Sequence, residues 1–196
     1  MVKVLKYVEN SYKNGPSFLI EMDGIEYLSN GCVFIENTKE NIEELVERYN
    51  CKNYIDELLN SKDIEDISEV TNMSFMFNGI KYFNQNISNW DVSNVTDMSF
   101  MFQGVIDFNQ DLSSWNVSNV KNMAYMFGST DSFNQDISNW DVSNVTDMSW
   151  MFDGSTSFSQ DLSSWNVSNE AETRYMFQGT KLEENPPSWY TNKKEK

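Results

Sequence analysis

Aspartate and serine are the residues of this chain that recur often enough, at fixed enough spacing, to suggest chemistry. Asp107, Asp111, Asp131, Asp136 and Asp161 are of the type that binds calcium, a hard cation held by several oxygens. Calcium-binding β-rolls are built on glycine-rich nonapeptides, which this sequence lacks, so no metal ligand set is assigned. General acid–base catalysis calls for histidine or a carboxylate pair in a cleft, and the chain has no histidine. Its serines and aspartates recur as columns, the pattern of polar residues that bond along a ladder. The reading is therefore non-enzymatic, with no catalytic residue and no cofactor. The Asn-x-Ser/Thr triplets at Asn72, Asn86, Asn94, Asn116, Asn144 and Asn166 match glycosylation acceptors, but they repeat because the chain repeats.

One column suggests binding. Phe75, Phe100, Tyr125 and Trp150 each follow a methionine by two residues, and Tyr175 follows Thr173 at the same repeat position. The position is aromatic in every copy while its identity varies. Rigid aromatics dominate interface energetics, so an outward-facing column would form a contact stripe. The competing expectation is structural, with each ring lying flat over the neighbouring turn. These five residues are the candidate partner-binding set.

The elements that position them come from a repeat. FNQNISNWDVSNVTDMSFMF, from Phe83, returns nearly unchanged every 25 residues, with Trp at 90, 115, 140 and 165. A fixed period of this length marks a stack of coils in which each packs only on its neighbours. Ile87-x-x-Trp90-x-Val92 has leucine-rich-repeat spacing, and its alternation predicts a short parallel strand with one buried face. Met98, Met101 and Phe102 share the i, i+3, i+4 face of a predicted short helical turn, which Gly104 ends. Asn94 is placed to satisfy turn backbone through its amide. The expected fold class is α/β: a leucine-rich-repeat-like solenoid of short parallel strands and helical turns over 64–180. A longer period pairs Asp91 and Asp141 against Asn116 and Asn166, which would separate like charges and let amides donate to carboxylates.

Both ends read as caps. In 1–63, Ser17–Met22 and Ile25–Leu28 flank Asp23-Gly24, a hairpin turn signal, with Cys32–Glu36 as a third strand. Asn37 and Glu40 form a capping box ahead of a helix carrying Ile42, Leu45, Val46 and Tyr49, and Cys51–Asn60 reads as a second helix. Residues 181–196 form a C-terminal cap and tail in which Pro186 and Pro187 terminate the ladder.

Composition narrows the partners. The 196-residue chain carries a formal charge of −16, which disfavours nucleic acid and anionic lipid and suits a basic protein. Two cysteines, Cys32 and Cys51, are too few for a disulfide scaffold, and a single bridge between them stays open. With no signal-peptide run and no apolar stretch of membrane-spanning length, the expected location is cytoplasmic or within an assembled particle, without membrane insertion.

The repeated FNQDISNWDVSNVTDMSxMF pattern over 64–180 resembles the mycoplasma-type surface-protein repeat, within the wider BspA-type leucine-rich repeats. Those occur in bacterial surface lipoproteins and in some protists and large DNA viruses. The resemblance implies a right-handed solenoid and a surface or protein-binding role, and it brings no shared catalytic residues. The expected function is a scaffold for protein–protein contact, self-association included. The alternatives are a structural component of an assembly such as a viral particle, or a surface adhesin separated from its leader.

Overall fold

The computed structural model describes residues 2–12, 15–22, 25–29, 34–36 and 67–190. Its N-terminal part is a four-stranded antiparallel sheet in the order β1-β2-β3-β4, from β1 (Val2–Tyr12), β2 (Gly15–Met22), β3 (Ile25–Ser29) and β4 (Phe34–Glu36). β2 and β3 pair from Met22↔Ile25 to Phe18↔Ser29, either side of Asp23-Gly24. β1 is a strand that the sequence reading leaves unassigned. The helices expected from Asn37 to Asn60, and the Cys32–Cys51 question, lie outside the described residues. Phe18 and Ile20 of β2 are fully buried and belong to the same apolar cluster as Val70 and Met73 of the first coil.

The expected right-handed solenoid of short parallel strands and helical turns is not what forms. Among the described residues there is no α-helix, only a 3-10 turn at Ile67–Glu69, and the one sheet is antiparallel. Parallel contact between copies shrinks to single bridges: Asn72↔Asp97, Asp97↔Asn122, Asn122↔Asp147 and Asp147↔Glu172. Trp90 and Val92 are buried as expected, but they sit between turns and not on a strand.

The backbone shows why. The N–H groups of Phe75, Phe77 and Gly79 donate to the carbonyls of Ser99, Met101 and Gln103 in the next copy, at 3.0, 3.0 and 2.8 Å. The alternate N–H groups, of Met76, Asn78 and Ile80, turn back to Met73, Phe75 and Phe77 at 3.2, 3.1 and 3.1 Å. The pattern recurs at 98–104 and 148–154. A strand needs extended, negative-φ backbone at successive residues. Here φ is +59° at Phe100 and +70° at Gly104, so the chain coils tightly while every second amide reaches the next copy. The same positive φ rules out the helical turn predicted for Met98–Phe102.

Side chains stack at the same interval. Phe77, Phe102, Phe127 and Phe152 follow one another at ring separations of 5.6 Å, and each lies 4.0–4.1 Å from the Phe of its own coil at 83, 108, 133 or 158. The methionines of the coils, from Met73 to Met176, fill the same core and are fully buried. The tryptophans form a file by hydrogen bonding. The indole N–H groups of Trp115, Trp140 and Trp165 donate to Ile87, Leu112 and Ile137 carbonyls at 3.2, 3.0 and 3.1 Å. Trp189 continues the file onto Leu162 at 2.8 Å and stacks 6.1 Å from Trp165.

Candidate functional site

Polar residues become columns because each short side chain is spent on local backbone. The side-chain oxygens of Asp91, Asn116 and Asp141 accept the N–H of the serine two residues on, at 3.0, 3.2 and 3.1 Å. Asp111, Asp136 and Asp161 do the same with Ser113, Ser138 and Ser163. These bonds hold the carboxyls of both sets below their ordinary range. The serine hydroxyl is the main cause at Asp91, Asp136, Asp141 and Asp161, and the backbone N–H at Asp111. No carboxylate-to-amide bond between copies occurs at Asn116. It appears in a neighbouring column, where the Asn122 amide donates to Asp97 Oδ2 at 3.4 Å. Asn94, Asn119 and Asn144 use their amides as expected, donating to the carbonyls of Ser68, Ser93 and Ser118 in the preceding copy.

The aspartates considered for calcium do not converge. Among the described residues no three His, Cys, Asp or Glu side chains are placed to hold a metal ion. An open depression of about 420 Å³ lies against the C-terminal cap, lined by Asp161, Ser163, Leu182, Pro186 and Pro187 among others. Its one carboxylate is Asp161, already engaged by Ser163.

The aromatic candidates come together. Phe75, Phe100, Tyr125, Trp150 and Tyr175 form one stack, with successive ring separations of 4.6, 4.8, 5.1 and 5.2 Å and interplanar angles of 4°, 15°, 6° and 27°. All five are half-buried. All five also hold left-handed backbone, with φ between 54° and 60°. L-residues with a Cβ avoid that region at a cost of roughly 1–2 kcal/mol, and glycine escapes the cost. Face-to-face neighbours leave the ring edges, not the faces, for contact.

Charged groups border the stack. Asp97 and Asp147 open the turns that carry Phe100 and Trp150, capping the N–H of Ser99 and Ser149 at 2.8 Å each. The guanidinium carbon of Arg174 lies 5.9 Å from the centre of the Trp150 ring, and its Nε is 3.4 Å from Glu172. Burial, and then the Asp153 carboxylate, pushes the Tyr125 phenol above its usual range. Burial, and then Glu183, raises the Asp153 carboxyl. The sequence reading overlooked this border. Asp97, Asp147 and Glu172 recur at one repeat position, which was the available signal.

No curated protein and no solved structure matches the chain. No helix among the described residues is long and apolar enough to cross a membrane. A family model matches at residues 41–141 and again at 125–196, which together span most of the sequence. The chain belongs to the family described as "Mycoplasma protein of unknown function, DUF285".

Proposed function

We propose that this chain is a non-enzymatic repeat scaffold for protein–protein contact, and that the stack of Phe75, Phe100, Tyr125, Trp150 and Tyr175 is its contact stripe. The observation that carries the reading is the left-handed backbone under five half-buried aromatic rings. Each such residue costs roughly 1–2 kcal/mol, whereas a stacked aromatic pair returns about 0.5–1.5 kcal/mol beyond its burial. Stacking alone about offsets the backbone cost, and the half-burial of each ring adds to stability beyond it. Strain of this kind, held in place by surrounding structure, is characteristic of functional positions. The motif spacing also supports reading the repeat as akin to the BspA-type surface-protein repeats.

The test is affinity capture from the native source with the natural chain and with Trp150→Asn, since asparagine tolerates left-handed φ. Retained folding with loss of a captured protein supports the reading. Unchanged capture, or a role confined to thermal stability, overturns it.

A further inference from the structure

Resting on that contact reading, we infer that the aromatic stack docks an extended basic segment in polyproline-II conformation, with Lys or Arg at every third residue. The first argument is charge. The molecule carries −16, and the row of residues three positions before the rings contains Asp97, Asp147 and Glu172. The second is what the rings offer. Their faces are occupied by one another, so a partner meets half-buried edges, over which prolines or the aliphatic stems of Lys and Arg can lie while their cationic heads reach carboxylates.

Spacing is the third argument. Asp97 and Asp147 lie two coils apart, with Asn122 between them. At the usual spacing of hydrogen-bonded backbones that is roughly 10 Å. Polyproline II advances about 3.1 Å per residue with three residues per turn, so every third side chain returns to one face after about 9.3 Å. An extended β-segment presents one face every second residue, about 6.6–6.8 Å, and fits the two-coil interval poorly. The chain already contains an example of the contact: Arg174 lies against Trp150 while its Nε pairs with Glu172.

The experiment uses the full chain and labelled synthetic peptides: repeated Arg-Pro-Pro, an isomer with its arginines consecutive, and repeated Glu-Pro-Pro. Affinities are read by fluorescence anisotropy at low and at physiological ionic strength. The inference expects the spaced-arginine peptide to bind best, the acidic peptide not to bind, and added salt to weaken binding. Asp97→Asn with Asp147→Asn should weaken it roughly five- to tenfold. That pair keeps the fold, because Asn72 and Asn122 already make the same turn bond in this row, to the N–H of Ser74 and Ala124. Equal affinity for the two arginine isomers, or no change in the double variant, overturns the inference. If Trp150→Asn still abolishes binding in that case, the contact reading survives; if it does not, both fail. Should no peptide bind, the inference falls, and capture from the native source decides the contact reading separately.

Discussion

Ser129 breaks a rule that its counterparts keep. Gly79, Gly104, Gly154 and Gly179 hold φ of 70–74°, but in the third copy glycine falls one residue early and Ser129 takes φ of 53°. Ser129→Gly should therefore stabilise the chain by about 0.5–1 kcal/mol, the left-handed cost less the glycine entropy, as read by denaturant unfolding. The reverse change, Gly154→Ala, should destabilise by about 1–2 kcal/mol, because a Cβ there adds the φ penalty and meets Ser129 Oγ at 3.3 Å. The aspartates give a pH prediction. Asp91, Asp111, Asp136, Asp141 and Asp161 have carboxyls held below 3.8 by serine bonds in the fold. A lowered folded-state value contributes stability above 3.8 that is lost as pH falls through the folded values. Melting temperature should hold near neutral pH and drop below about pH 4. Tyr125 and Tyr190 are shifted upward, chiefly by burial, so their contribution is present below their ordinary 10.0 and lost as pH rises beyond it. A second fall in melting temperature should therefore appear in strong alkali.

At the scale of the coil, the tryptophans tie each turn to the one before it. Trp140 is buried and its N–H satisfies the Leu112 carbonyl at 3.0 Å. Trp140→Phe removes that bond and leaves the Leu112 carbonyl with the Trp115 backbone N–H alone, and should cost about 0.5–1.5 kcal/mol by thermal or chemical unfolding. Ser118→Ala, which removes a half-buried hydroxyl bonded only within its own turn, should cost less. The coil also shows where sequence reading stopped. Periodicity placed the Met, Met-Phe and Trp-x-Val positions in the core, and Met73, Met76, Phe77, Ile87, Trp90 and Val92 are all buried there. It assigned strand and helix to them because alternation and i, i+3, i+4 spacing are usually produced by those elements. Here tandem turns with left-handed residues generate the same spacings, and φ at an aromatic leaves no mark in composition.

Across the whole molecule, stability is a sum over coils and the contacts between neighbours. Removing residues 95–119, one full period, rejoins Asn94 to Val120 in register. The shortened chain should fold cooperatively with a denaturant m-value reduced in proportion to the surface lost. Removing half a period should instead give an unfolded or aggregated product, because every column is displaced. The last coil is covered by residues that follow it. Trp189 completes the tryptophan file, Tyr190 meets Phe177 edge-on at 5.0 Å, and the Glu183 carboxylate takes the Gly179 N–H at 2.8 Å. Glu183 thereby satisfies a donor that the same position of earlier coils gives to the next coil.

The sequence by itself determined the 25-residue interval, the buried columns, the asparagine ladder and the alignment of five aromatic residues. Those follow from repetition, since identical coils in contact must place like residues over like. Tertiary structure decided what a coil is made of and how the rings lie. Whether an amide points to its own turn or to the next copy depends on the neighbour being present. The left-handed backbone that turns Phe100 or Trp150 into a half-buried stack is held by contacts on both sides, which no single period contains.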